Sequence, residues 1–142
     1  MLDVKENIWD FPKRVVICIT TNGIIKKNGE LVMGKGIALQ AKQRFPKLPL
    51  IFGQYVKQKG NQLYYISEYN IASFPTKHHW KDKSDIDLIQ QSCFQLENFV
   101  KTYDKYAALP RPGCENGGLN WYQNVKPTIE HILSDRVCVV SL

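Results

Sequence analysis

Two almost continuous hydrophobic runs, at residues 15–19 and 137–140, constrain the fold more than any other feature of the chain. β-Branched residues dominate both runs, which favours strands over helices. A strand that is apolar at every position is covered on both faces, as in a sheet between two layers of helices. Further apolar runs at residues 63–66 and 106–109 predict two more strands. The sequence therefore predicts a layered α/β fold.

Segments with helical spacing lie between these runs. Residues 36–44 and 49–59 each predict a helix, and residues 120–133 predict the last one. The longest helix is predicted to begin at Ser84, whose hydroxyl would cap it, with Asp87 completing a capping box.

Length and composition limit the kind of protein. The chain has 142 residues, of which 44% are hydrophobic, so we expect one domain over residues 1–142. It has no run long enough to span a membrane and no signal-peptide pattern, so we expect it in the cytoplasm and not at a membrane. We also expect a monomer. Its four cysteines are too widely spaced to predict a zinc site or a disulfide framework. The net charge of +6 makes polyanions plausible partners.

Three polar segments follow apolar stretches, at residues 20–35, 74–83 and 110–120. In open α/β sheets, ligands bind in the crevice beyond the carboxyl ends of the strands. The first and third segments are rich in glycine and lead into helices, so their free N–H groups would suit a diphosphate. The glycine spacing of the first segment matches neither a Rossmann nor a P-loop motif, and such glycines are also ordinary turn residues. The presence of two such loops favours phosphate binding.

The second polar segment contains Lys77, His78, His79 and Trp80. Lys77 has the chemistry of a nucleophile or a proton donor, and the histidines could act as acids, bases or phosphate contacts. Adjacent histidines are also common as plain surface residues. They have no third ligand at a fitting spacing, so we predict no metal site.

Taken in order, the motifs resemble the macrodomain family. Within it, the chain is similar to the branch of terminal ADP-ribose glycohydrolases and of antitoxins that remove ADP-ribose from DNA thymidine. The resemblance implies a three-layer α/β/α macrodomain with a mixed central sheet, and an ADP-ribosyl glycohydrolase that uses no cofactor. The motifs are Asn7-Ile8-Trp9, Thr21-Asn22-Gly23, Met33-Gly34-Lys35-Gly36-Ile37-Ala38, Phe74-Pro75-Thr76-Lys77 and the stretch from Pro110 to Trp121.

The resemblance also implies a role for each motif. Asn7 and Ile8 would bind adenine, with the Asn7 amide in place of the aspartate usual in the family. Asn22, beside Thr21, would lie at the distal ribose, and Lys77 would be the catalytic lysine. Two phosphate-binding loops would complete the ADP-ribose site, namely Met33, Gly34, Lys35, Gly36 and Ile37 in the first, and Pro110, Gly113, Cys114, Glu115, Asn116, Gly117, Gly118 and Leu119 in the second.

Two features depart from the family pattern. Residues 24–31 form an excursion after Asn22, so we expect a larger loop over the distal ribose. Gly117 stands where the protein-directed glycohydrolases carry an aspartate that resolves a lysine-linked intermediate. The DNA-directed branch also has a glycine-rich loop there, so it resembles the chain better.

Cleavage at the anomeric carbon of the distal ribose needs a proton for the leaving group or for the ring oxygen. Lys77 would donate that proton or attack the carbon as a free amine, and Asn22 would orient the ribose hydroxyls. Glu115 would either activate water or point to solvent. The ADP-ribose would be carried by a DNA base or a protein side chain. The alternative is a module that binds ADP-ribose without cleaving it.

DNA as the carrier would give the basic segment a role. His78, Trp80, Lys81 and Lys83 would then contact the nucleic acid, Trp80 by stacking on a base and the lysines through phosphates. A nucleic-acid-binding module unrelated to ADP-ribose is a third interpretation, but it explains neither glycine-rich loop.

Overall fold

The computed structural model describes all 142 residues, which build one six-stranded sheet with helices on both faces. The strands are β1 (Leu2–Lys5), β2 (Val16–Thr21), β3 (Tyr65–Ile66), β4 (Ile71–Pro75), β5 (Ala107–Pro110) and β6 (Val137–Ser141). The helices are α1 (Gly36–Arg44), α2 (Leu48–Lys59), α3 (Ile86–Thr102) and α4 (Lys126–Ile129), with a 3₁₀ turn at Ile8–Asp10 and a π-helical turn at Trp121–Val125.

The strand order is β1-β6-β5-β2-β4-β3, and every neighbouring pair is parallel except β3 with β4. The predicted mixed sheet is therefore confirmed. Strand β2 is central, and its Ile17 pairs with Ala108 of β5 and with Ile71 of β4. Because β2, β4 and β5 are parallel, their carboxyl ends lie at the same edge of the sheet. The three polar loops that follow these strands meet there.

Alternate residues of β2 divide the core between the two faces of the sheet. Ile19 packs with residues of α1 and α2. Val16 and Cys18 belong to the core cluster formed with α3 and α4. The predicted three-layer α/β/α arrangement follows, with a buried core in each interlayer space. None of the four helices is both long and apolar enough to cross a membrane.

The sequence analysis missed two strands. Strand β1 is mostly exposed and has no apolar run to mark it. Strand β4 is buried at all five positions, but its alanine, serine and proline are poor strand formers. Residues 74–75 therefore belong to a central strand and not to the second loop.

Helix α3 begins at Ile86 and is capped by Asp85, so the predicted cap at Ser84 is wrong. Asp85 Oδ1 accepts hydrogen bonds from the main-chain N–H groups of Asp87 at 2.9 Å and Leu88 at 3.4 Å. The Ser84 hydroxyl is buried and has no hydrogen-bond partner. The predicted capping box is wrong as well, because Asp87 is the second residue of α3 and Leu88, which has no carboxylate, stands three positions after the cap.

The predicted helix at residues 120–133 is also corrected. A π-helical turn comes first, in which the Lys126 N–H donates to the Trp121 carbonyl, and α4 then ends at Ile129. Pro127 has no N–H group, so a regular α-helix could not continue its hydrogen bonds through this position.

Candidate active site

An open cleft of about 760 Å³ lies at the carboxyl edge of the sheet. Its size is that of a small-molecule or cofactor site. Its walls come from all three polar loops, the segment after β1 and the exposed side of α1. The predicted site residues that line it are Asn7, Ile8, Thr21, Asn22, Gly34, Lys35, Gly36, Ile37, Lys77, Trp80, Pro110, Gly113, Cys114, Glu115, Asn116 and Gly117.

Other predicted site residues do not line the cleft. Met33 is only 1% exposed and packs in the core beneath α1 and α2. Leu119 packs against the core on the α3 side. These two side chains support the loops from behind, and the assignment of their loops to phosphate binding stays a prediction. The others outside the cleft are His78, Lys81, Lys83 and Gly118.

The first loop presents backbone to the cleft. Helix α1 begins at Gly36, and the preceding Lys35 makes no side-chain cap, so the N–H groups of the first turn are free. Gly36 has a φ of +56°, and a Cβ there would lie 3.1 Å from Asn116 Nδ2, so both conformation and space favour glycine. A Cβ on Gly34 would meet no atom within 4 Å. This wall is open and carries the positive end of the helix dipole, which suits an anion.

Asn22 lines the cleft and also closes its own loop. Its Nδ2 donates to the Val32 carbonyl at 2.9 Å, and its Oδ1 accepts from the Ile24 N–H at 2.9 Å. One N–H and one oxygen lone pair remain for a ligand. Asn22 therefore has a structural role in addition to the predicted one.

The excursion at residues 24–31 lies on α2 and not over the cleft. Ile25 pairs with Leu31 in an antiparallel bridge. A Cβ on Gly53 of α2 would collide with the Gly29 carbonyl, so this close approach requires glycine. None of the eight residues lines the cleft. The expectation of a larger loop over the distal ribose is therefore wrong.

The third loop turns on two glycines in the left-handed region, Gly113 at φ 78° and Gly118 at φ 75°. Between them, a Cβ on Gly117 would collide with Ser84 Oγ and with the Gly113 carbonyl. A larger residue at position 117 would thus displace the loop. The lack of a carboxylate there is imposed by the packing.

Lys77 connects the second loop to the third. Its Nζ donates to the main-chain oxygen of Asn116 at 3.0 Å and to that of Trp80 at 3.3 Å. Its own carbonyl accepts from Asn61 Nδ2 at 3.0 Å. An ammonium group has three N–H donors, so one remains for a ligand. Asn61 was not predicted, and no local pattern marks it.

The remainder of the second loop forms the outer wall. Trp80 is 42% exposed, stacks on His79 with ring centroids 5.3 Å apart, and lies 5.0 Å from Lys81 Nζ. His78 lies outside the cleft, with its Nε2 2.9 Å from Asp85 Oδ2. This hydrogen bond, more than any other cause, holds the pKa of Asp85 below its ordinary value. Trp80 therefore lines the cleft, whereas His78 fastens the loop to α3.

Asn7 and Trp9 shape the end of the cleft beside β1. Asn7 Oδ1 accepts from the Trp9 N–H at 3.0 Å, which leaves the amide NH₂ free. Trp9 Nε1 donates to Gln40 Oε1 at 2.8 Å, and the Arg44 guanidinium lies 4.3 Å from the Trp9 ring centroid. Gln40 and Arg44 line the cleft but were not predicted. Gly36, Gln40 and Arg44 follow one another at intervals of four residues, a spacing that predicts all three on one face of α1.

Two further groups limit the chemistry. Burial raises the pKa of the Cys114 thiol to about 11 against the opposing effect of Arg111, so this thiol stays protonated and is no nucleophile. Arg111 also lines the cleft and was not predicted. Its guanidinium lies 3.5 Å from Asp3 Oδ1 and 4.8 Å from the Trp121 ring centroid. No three His, Cys, Asp or Glu side chains are grouped to hold a metal ion.

Known proteins resemble this chain over most of its length, although no family model matches it. The macrodomain of Mycobacterium tuberculosis DarG superposes with a TM-score of 0.81 at 25% identity, covering 98% of this chain and 95% of that one. Thermosipho africanus DarTG in complex with ADP-ribose gives a TM-score of 0.73 at 27% identity, over 89% of this chain and 38% of that one. A DNA ADP-ribosyl glycohydrolase of Thermus aquaticus is 35% identical over 144 residues, which cover 92% of this chain and 37% of the relative. The chain spans about a third of the length of the curated relatives it matches.

Proposed function

Because the chain belongs to the macrodomain family, in the branch of the DarG macrodomains, we propose that its cleft binds ADP-ribose and hydrolyses the bond between ADP-ribose and a DNA base. One observation carries the proposal. Lys77 Nζ lies 3.0 Å from the Asn116 carbonyl, where the second loop meets one of the two loops suited to a diphosphate. The DarTG complex with ADP-ribose and the DNA ADP-ribosyl glycohydrolase from Thermus aquaticus support the same ligand and reaction.

The diphosphate would lie between the N-terminus of α1 and the loop at residues 113–118. Main-chain N–H groups on both sides and the positive end of the helix dipole favour an anion there. Adenine would extend towards Asn7 and Ile8, and the distal ribose towards Asn22 and Lys77. In this pose the scissile bond reaches the mouth of the cleft beside Lys77.

The reaction breaks the bond between the anomeric carbon of the distal ribose and a nitrogen of the base. The electron pair leaves with the base, which takes a proton from the Lys77 ammonium. Water adds its hydroxyl to the anomeric carbon, and the proton released by that water returns to the lysine amine. Asn22 orients the ribose hydroxyls. The products are free ADP-ribose and the unmodified base.

The composition of the third loop favours proton donation by Lys77 over covalent attack. A lysine amine that attacked the anomeric carbon would form a sugar adduct, which another group would have to release. Position 117 holds a glycine, and a carboxylate side chain there would displace the loop. Glu115, exposed at the cleft, is the carboxylate available in this loop to orient the attacking water, whose proton passes to Lys77.

DNA as the carrier agrees with the outer wall of the cleft. The exposed Trp80 ring would stack on a flanking base, and Lys81 beside it would meet a phosphate. The stem of Lys83 lies beside Gly118, 3.5 Å from where its Cβ would be, so its charge borders the third loop. His78 is already paired with Asp85, and we assign it to loop support.

A second candidate is a module that binds ADP-ribose without cleaving it, in which the bonds of Lys77 to the Trp80 and Asn116 carbonyls would serve only to join the loops. The decisive experiment incubates the protein with ADP-ribosylated single-stranded DNA and, separately, with ADP-ribosylated glutamate peptides. Release of ADP-ribose from DNA alone is expected. Tight binding of ADP-ribose with no release from either substrate would establish the binding module instead.

A further inference from the structure

The positive charge of this protein comes from one continuous part of the chain. Residues 20–60 contain eight of the 19 Lys and Arg residues and a single acidic residue, Glu30. The rest of the chain holds eleven basic and twelve acidic residues. The net charge of +6 therefore arises entirely within this segment.

The tertiary structure gathers this segment on one face of the molecule. The excursion at residues 24–31, α1 and α2 all pack on the side of the sheet that Ile19 faces. The opposite side is covered by α3 and by residues 121–135, which together hold four acidic and two basic residues. None of the eight basic residues of the first face makes an ion pair. Its positive potential is therefore not neutralised by the protein.

The basic end of α2 adjoins the loop that carries Lys77. Lys57 and Lys59 are exposed in the last turn of α2. Just beyond the helix, Asn61 donates to the Lys77 carbonyl at 3.0 Å. Tyr55 of α2 is 39% exposed and stacks on Tyr64, so an aromatic ring lies among these lysines. Lysines interleaved with exposed aromatic rings are typical of surfaces that bind single-stranded nucleic acid.

We propose that the face formed by the excursion and the C-terminal half of α2 binds the phosphodiester backbone of the DNA strand that carries the modified base. A strand whose modified nucleotide enters the cleft continues in two directions. Trp80 and Lys81 meet the nucleotides on one side, and Lys57 and Lys59 meet those on the other. The choice of DNA rests on the proposed function, whereas the polyanion-binding face rests on charge and geometry alone.

The test measures the affinity of the full chain for an unmodified single-stranded DNA of about 15 nucleotides as a function of salt. The variant Lys57→Gln/Lys59→Gln is compared with Lys13→Gln/Arg14→Gln, which removes the same charge from exposed residues before β2, at the end of the sheet away from the cleft. Each lost phosphate contact makes the negative slope of log affinity against log salt shallower by about 0.7 for a single strand. We expect the slope to become shallower by about 1.4 in the α2 variant and to stay unchanged in the control.

Equal salt slopes in the wild type and the α2 variant would overturn the proposal. An equal change of slope in the control and the α2 variant would also overturn it, because DNA affinity would then depend only on the net charge of the protein. Polyglutamate that displaces the DNA at equal charge concentration would overturn the choice of DNA. Hydrolysis of ADP-ribosylated DNA and calorimetric titration with ADP-ribose are measured separately on the same variants. If the wild type hydrolyses ADP-ribosylated DNA but has the same salt slope as the α2 variant, the DNA-binding face is rejected and the proposed reaction stands. If the α2 variant has the shallower salt slope but the wild type hydrolyses nothing, the proposed reaction is rejected and the DNA-binding face stands.

Discussion

Lys77 Nζ and the Asn116 carbonyl oxygen lie 3.0 Å apart, so the proposed proton donor also joins two of the loops that form the cleft. An alanine substitution removes both the ammonium and this connection. A test of the chemistry therefore needs a substitution that keeps the connection and loses the transferable proton.

Lys77→Arg is that substitution, because a guanidinium still donates to carbonyl oxygens but does not give up its proton near neutral pH. We expect release of ADP-ribose from DNA to slow by about 100-fold or more in both Lys77→Arg and Lys77→Ala. ADP-ribose affinity should stay within a few fold in Lys77→Arg, as measured by calorimetry. Borohydride added during turnover should trap no sugar on the wild type. A trapped adduct, or full activity in Lys77→Arg, would contradict proton donation by Lys77.

Gly34 and Gly117 should respond differently to substitution. Gly34→Glu adds a negative charge in open space at the wall of the cleft, so it should abolish ADP-ribose binding and leave the melting temperature unchanged. Gly117→Ala has no room for its Cβ and should lower the melting temperature. Calorimetric titration and thermal unfolding of both variants check this pair. Normal ADP-ribose binding by Gly34→Glu would place the diphosphate elsewhere.

Asp85 should make stability depend on pH at the acid end. Its pKa is lowered in the folded protein, chiefly by the hydrogen bond from His78, so the folded state favours the carboxylate. This stabilisation is complete above the unfolded-state pKa of about 3.9 and is lost as the pH falls through the lower folded-state value. Asp85→Asn keeps a capping side chain and should flatten that part of the pH profile. Asp85→Ala also loses the cap of α3, which should cost about 1 kcal/mol at neutral pH. Urea unfolding of the three proteins at several pH values measures both effects.

Trp80 should contribute to DNA recognition by stacking. Trp80→Ala is expected to weaken binding of ADP-ribosylated single-stranded DNA by about tenfold, whereas Trp80→Phe should retain most of the affinity. Activity on DNA should also fall steeply as salt rises, because lysine contacts to phosphates release counterions. Equal activity at low and high salt would point to a peptide or small-molecule substrate.

The sequence predicted those elements whose causes are local. Apolar runs located β2 and β6, and the helix predicted from Gly36 to Arg44, ending before Pro46, has the observed limits of α1. Because parallel strands align their carboxyl ends, the first and third loops could be placed at one edge of the sheet from the predicted strands, whereas the second loop follows β4, which the sequence did not mark. The motifs in these loops then indicated a family, and most of the residues they implied line the cleft.

Only the tertiary structure decided what depends on contacts between distant segments. Strand β4 is a strand because β2 and β3 pair with it, despite the low strand propensity of its alanine, serine and proline. Met33 is buried and Gly34 next to it is open, a difference that the motif does not contain. The excursion lies on α2 because Gly53 lets the Gly29 carbonyl approach, and not because of any pattern within the excursion. Sequence periodicity reports which face of an element is apolar, whereas the partner of that face is selected by the packing of the whole chain.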